Sequence, residues 1–321
     1  MKKVLSLIMS FCLLMPVCFL FGCNNEENYR ITVVTTVFSE YDWVKNIVGD
    51  TDDVGVSMLL DGGADLHSYQ PSFADIRAIR KCDLFIYVGG ESDKWVDDAL
   101  KQSENENRLV INLMEVLGEN AREEEEVEGM QEEEHNGDEE GETEYDEHVW
   151  LSIKNAKLFV KVIKEKLCLI DAENSRKYEL NSEKYINELD ALDGEYRQVV
   201  SEKNKDTLLF ADRFPFLYLV KDYGLKYYAA FKGCSANSEA TPKTYIFLAN
   251  KVDELSLSVI LKIESSDGKT AQAVKNNTVN KDQTILTMDS LQSATIKEYE
   301  NGRTYINAMK ANLDVLKEAL K

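Results

Sequence analysis

The stretch Ile31–Leu60, ITVVTTVFSEYDWVKNIVGDTDDVGVSMLL, carries the pattern on which the fold turns. It opens on a β-branched run, Ile31–Thr36, whose side chains suit a buried, pleated strand. Trp43, Ile47 and Val48 follow at helical spacing. Val54–Leu60 is a second apolar run, ended by the turn-prone Asp61-Gly62-Gly63. Outward from it the alternation continues. Phe73, Ile76 and Ile79 mark a helix, Leu84–Val88 a strand, Trp95–Leu100 a helix and Leu109–Asn112 a fourth strand. Strands that alternate with helices predict a parallel, doubly wound sheet.

Residues 118–147 break the pattern. Fifteen of the 25 residues from Glu123 to Glu147 are Asp or Glu, and none is Lys or Arg. With so little apolar surface to bury, this segment reads as a disordered acidic insertion. From Ser152 to about Lys205 the spacing is helical, through Ala156, Phe159, Val160, Ile163 and Leu167, then Tyr178, Tyr185, Leu189 and Leu192. Alternation then returns. Thr207–Ala211, Tyr227–Phe231, Ser258–Ile263 and Thr284–Met288 are predicted strands, with helices between and after them. The plan is two α/β lobes joined by a helix: an N-terminal lobe over 31–170, a linker helix over 171–205 and a C-terminal lobe over 206–321. Ligands of such sheets sit beyond the strand C-termini, here in the cleft between the lobes.

The N-terminus adds an address. Lys2 and Lys3 precede an apolar run over 4–22 that ends at Gly22-Cys23, and the polar Asn24-Asn25-Glu26-Glu27 follows at once. This is the form of a secretory signal over 1–22, with Cys23 as the lipidated first residue and 23–30 as a tether. An uncleaved membrane anchor is the other reading, since the run approaches the roughly 20 residues that span a bilayer. Either places the rest of the chain outside the cytoplasm. A net charge of −21 excludes nucleic acid as a partner. Beyond the signal and Cys23, the remaining cysteines, Cys82, Cys168 and Cys234, form no CxxC pair and read as small buried hydrophobes.

Three histidines can be weighed singly. His67 follows a strand and a glycine turn, His148 opens a helix, and His135 lies in the acidic run. Imidazole suits zinc and its neighbours, and carboxylates complete such sites. In the second lobe Asp212 follows one predicted strand, and Asp267 lies just beyond another, within Glu264-Ser265-Ser266-Asp267. Each could instead cap the helix that follows. The acidic run with His135 could gather cations loosely, or serve only as a solvated spacer. A metallohydrolase would need a general base and an open metal position, and no HExxH motif is present. An adhesin-like structural lipoprotein would not need His67 and His148 at matched strand ends.

At these residues the chain resembles the bacterial solute-binding proteins of zinc and manganese importers. The segments that carry the likeness are Val33-Val34-Thr35-Thr36, Gly63-Ala64-Asp65-Leu66-His67, Asp146-Glu147-His148-Val149-Trp150-Leu151-Ser152, Lys221-Asp222-Tyr223-Gly224-Leu225 and Tyr305-Ile306-Asn307-Ala308-Met309. The resemblance implies two α/β lobes bridged by one long helix, with the metal between them. It implies no enzymatic activity, a cargo of Zn2+ with Mn2+ as the alternative and an ABC permease as partner; the membrane tether at Cys23 and a monomer are expected beside it. It carries over His67, His148 and Asp267 as ligands. The family's usual third ligand falls on Arg213, whose guanidinium cannot bind a cation. Asp212 is therefore the expected third ligand, with Arg213 turned away toward an acid.

Overall fold

The computed structural model describes residues 29–63, 65–101, 103–131, 144–235 and 239–321. The signal over 1–22, the lipidation expected at Cys23 and the candidate His135 lie outside the described residues. Within them no helix is long and apolar enough to cross a membrane.

Two four-stranded parallel sheets organise the chain. The first holds β1 (Ile31–Thr35), β2 (Val54–Met58), β3 (Leu84–Tyr87) and β4 (Leu109–Asn112) in the order β2-β1-β3-β4. The second holds β5 (Thr207–Phe214), β6 (Lys226–Lys232), β7 (Val259–Ile263) and β8 (Thr284–Met288) in the order β6-β5-β7-β8. Both are doubly wound: the chain steps to one side of the first strand and then crosses to the other. That reversal leaves a crevice at the strand C-termini. Helices cover both faces of the first sheet, so β1 and β3 are apolar on both, with Val33, Val34, Leu84, Phe85 and Ile86 all buried.

The helical stretch in the middle is two helices. Ile153–Ile170 buries Ile153, Ala156, Phe159, Val160, Ile163 and Leu167, the stripe that the spacing predicts. It ends at Asp171, and a 3-10 turn over Ala172–Asn174 leads into a 27-residue helix, Ser175–Ser201. The break has a cause: the Asp171 carboxylate accepts from the Tyr178 hydroxyl and the Asn174 amide, which turns the chain. The long helix bridges the lobes. The Asn181 amide donates to Ile47 O and the Tyr185 hydroxyl to Asp42, both on the first-lobe helix Phe38–Val48. Farther along, the Tyr196 hydroxyl donates to Met309 O on the C-terminal helix Tyr305–Ala319. Trp43 fastens the same junction, fully buried between Phe159 and Tyr305 at ring distances of 5.6 and 5.4 Å. Removing a side chain of this size from such a place costs about 3–5 kcal/mol.

Two differences from the sequence reading bear on the site. The β5 strand runs past Ala211 to Phe214, with a register shift between Phe210 and Arg213. The Phe214 ring stacks on Tyr227 of β6 at 3.8 Å. The acidic insertion, expected to be disordered over 118–147, is anchored at both of its described ends. Glu123 and Tyr145 form an antiparallel bridge, Met130 is buried, and Gln131 N donates to Ala230 O. Lysines of the second lobe take up part of the charge, as Lys221–Glu125 and Lys232–Glu144 pairs.

Candidate metal centre

The site is assembled by the loops that leave the strands at their C-terminal ends. After β2 the chain makes a 3-10 turn, Leu66–Ser68, capped by Asp65, whose Oδ1 accepts from His67 N at 3.1 Å. Leu66 is buried and holds this turn to the core, while His67 reaches into the cleft. His148 comes from a second 3-10 turn, Val149–Leu151, in which all three residues are buried. Trp150 fixes that turn by donating its indole N–H to Ser290 O across the lobes.

The two imidazoles meet, with His67 Nε2 and His148 Nε2 3.2 Å apart. Each ring is oriented from behind. His148 Nδ1 lies 3.0 Å from Asp146 Oδ1, which also accepts the His148 backbone N–H at 2.8 Å. His67 Nδ1 lies 2.8 Å from Ser92 Oγ and 3.5 Å from Glu147 Oε2. An oxygen partner on Nδ1 leaves Nε2 as the free lone pair, and this is how metal-binding histidines are held. Two nitrogens on one tetrahedral zinc stand about 3.3 Å apart at the usual Zn–N lengths. The observed spacing fits a shared cation.

Electrostatics divide the pair. Burial, and then the facing His148, push His67 down to about 3. Burial works against charge on His148 as well, but Asp146 beside Nδ1 outweighs it and the net shift is upward. Glu147 is raised chiefly by burial, and its Oε2 has no hydrogen-bond partner. Gly90 makes room for this carboxylate: it sits at φ +86°, and a Cβ there would come within 2.3 Å of Glu147 Oε1.

The second lobe departs from expectation. Asp212 lies inside β5, at its register shift, and not past its end. Its Oδ1 accepts from Arg213 N and its Oδ2 from Ile263 N, and it does not join the imidazoles. Asp267 is exposed and serves the helix that follows it, accepting Lys269 N at 3.0 Å and pairing with the Lys269 ammonium at 2.6 Å. Both acids line a cavity of about 540 Å³ that also reaches His67, but their carboxylates stay outside the donor cluster. Arg213 does turn to an acid, meeting Asp65 Oδ2 at 2.7 Å across the lobes.

Cys234, read from sequence as a small buried hydrophobe, is instead a neighbour of the histidines. Among the described residues only His67, His148 and Cys234 bring three metal-binding donor atoms within 4.8 Å of one another. The signal that could have found Cys234 is its place directly beyond β6, matching the strand-end positions that singled out His67 and Asp212. Asp146 and Glu147, in the same motif as His148, stand behind the two rings.

The family of zinc-uptake complex component A periplasmic proteins (ZnuA) matches residues 33–319. The zinc-binding lipoprotein AdcA of Streptococcus pneumoniae is 30% identical over 325 residues, 99% of this chain and 61% of its own. The chain thus spans about three-fifths of that relative's length. The high-affinity zinc uptake system protein ZnuA of Bacillus subtilis is 30% identical over 303 residues, 93% of this chain and 90% of its own. The Zn(II)-bound ZnuA-like domain of S. pneumoniae AdcA superposes with a TM-score of 0.69 at 26% identity, over 90% of this chain and 98% of that one.

Proposed function

The chain belongs to the ZnuA family of periplasmic zinc-uptake components, and from that premise we propose that it captures zinc outside the cytoplasm and presents it to an ABC importer. The family is one of metal-binding solute-binding components, not of enzymes. The observation that carries the reading is the pair of Nε2 atoms 3.2 Å apart, each ring backed by oxygen at Nδ1. His67 and His148 are the proposed ligands. Asp212 and Asp267 line the approach without joining the ligand set.

Each group has a part in capture. Asp146 and the Ser92–Glu147 pair hold the rings in the tautomer that offers Nε2, so little ordering is left for the moment of binding. The buried acids around them favour a dication over solvent. Arg213 and Asp65 tie the second lobe to the very turn that carries His67. Release to a permease then requires that tie to loosen. Tethering through a lipid on Cys23 completes the reading and keeps the protein at the membrane.

Manganese is the second reading, and the imidazoles alone do not separate the two metals. Elemental analysis of the purified mature protein, with zinc–manganese competition by calorimetry, tests the proposal. One tightly held zinc per chain, not displaced by excess manganese, is the expected result. Absence of any stoichiometric metal overturns it.

A further inference from the structure

We infer that Cys234 is a metal ligand from the second lobe, completing a His67–His148–Cys234 site whose thiolate selects zinc over manganese. This rests on the reading of the two histidines as ligands and adds the donor that decides which cation they hold.

The geometry is built for it. Both histidines come from the first lobe, and Cys234 stands across from them at the C-terminal end of β6. Its backbone N–H donates to Glu124 Oε1 at 3.0 Å, which pins the residue to the anchored leg of the acidic insertion. Gly233, immediately before it, lies flat against His148: a Cβ there would be 2.9 Å from Phe214 O and 3.1 Å from His148 Cε1. A larger residue there would press on Phe214 O and crowd the imidazole. Cys234 and His67 line a common cavity of about 310 Å³, whose other walls include Glu124 and Glu147.

The donors stand close enough to share one cation after a small shift. On tetrahedral zinc, at the usual Zn–N and Zn–S lengths, an imidazole nitrogen and a thiolate sulfur stand about 3.6 Å apart. The three donors lie within 4.8 Å of one another. A shift of about 1 Å therefore brings the sulfur to bonding range around a cation already held by the imidazoles. In that step the thiol gives its proton to solvent as the sulfur–metal bond forms, and no oxidant is needed. The competing donors of the second lobe are engaged elsewhere: Asp212 on backbone N–H groups and Asp267 on Lys269.

The chemistry then sets the cargo. A thiolate is a soft donor that suits zinc, whereas manganese prefers carboxylate, carbonyl and water. Because the sulfur comes from the opposite lobe, the bound cation itself would draw the two lobes together.

Cobalt(II) is the probe, added to the full mature chain and to Cys234→Ser, with circular dichroism to confirm that both are folded. The wild type should show an intense near-ultraviolet sulfur-to-cobalt charge-transfer band, and Cys234→Ser should lose it while still binding cobalt. Zinc affinity in Cys234→Ser should fall by at least roughly tenfold, since even partners that only orient a ligand are worth 10–100-fold. Manganese affinity should change far less. If cobalt binds the wild type without that band, or if zinc binds Cys234→Ser unchanged, Cys234 is not a ligand and the histidine reading stands. If the wild type binds neither cobalt nor zinc, both readings fall.

Discussion

The two lobes share a strand order and treat their carboxylates in opposite ways. In the second lobe the acids near the C-terminal ends of the strands are satisfied. Asp212 accepts backbone N–H groups, Asp267 pairs with Lys269, Asp289 with Arg303, and Glu264 accepts both the N–H and the hydroxyl of Ser290. In the first lobe four buried acids are only half satisfied. Among the described residues, every buried carboxylate oxygen lacking a hydrogen-bond partner belongs to that lobe, on Glu40, Asp42, Asp93 and Glu147. Burying such groups without a partner costs stability, so a fold keeps them where something else is gained. The lobe that leaves these carboxyl oxygens unpaired also carries the two facing imidazoles. The contrast supports the proposal that the first lobe receives the cation and the second mainly closes over it.

The largest effects should come from breaking the prepared half. His67→Ala and His148→Ala should each lower zinc affinity by more than the roughly 10- to 100-fold that loss of an outer partner costs. Calorimetry reads the affinity and circular dichroism the fold. Unchanged binding in both variants would mean that the first lobe is not the receiving side.

A second effect follows from the same lobe's buried acids and appears without metal. Burial pushes Glu40 up to about 8 and Asp93 up to about 7. The folded chain therefore keeps protons that the unfolded chain has already lost. For a carboxyl raised in this way, stability is greatest below its unfolded value of 4.5 and declines as pH rises to about 8. In Glu40→Gln the amide oxygen can still accept from Thr36 and Val37, as Glu40 does now. That variant should flatten the decline by an amount on the order of a few kcal/mol. Denaturant unfolding at pH 5 and pH 8 is the check, and equal slopes for wild type and variant would contradict it.

The smallest effect should come from the satisfied half. Asp267 is exposed, and its ion pair with Lys269 is of the kind worth little. Asp267→Asn should leave zinc affinity within about threefold of wild type, the scale of a surface pair. A larger loss would show that Asp267 swings onto the metal, and the contrast between the lobes would need redrawing.

Much of this was legible in the sequence. Apolar runs such as Ile31–Thr36 and Leu84–Val88 mark strands because a parallel sheet buries both of its faces. His67 and His148 could be singled out by their strand-end positions and by the resemblance of the residues around them. Asp212 and Asp267 could not be judged the same way, because an aspartate at a strand end bonds a metal or a backbone N–H equally well until the geometry decides. In this structure β5 extends to Phe214, which no local pattern announces, and Asp212 within it accepts backbone N–H groups. For Cys234 the strand-end position was the one signal, and nothing else in the sequence supported it. It has no CxxC partner, and both of its neighbouring donors lie far away in sequence, on the other lobe.

The central claim is that one cation sits between His67 and His148, and diffraction from zinc-loaded crystals of the mature protein at the zinc absorption edge tests it most directly. The account predicts a single strong anomalous peak within bonding distance of both Nε2 atoms. A peak beside Asp212 and Asp267 instead, with the imidazoles still facing each other empty, would contradict it.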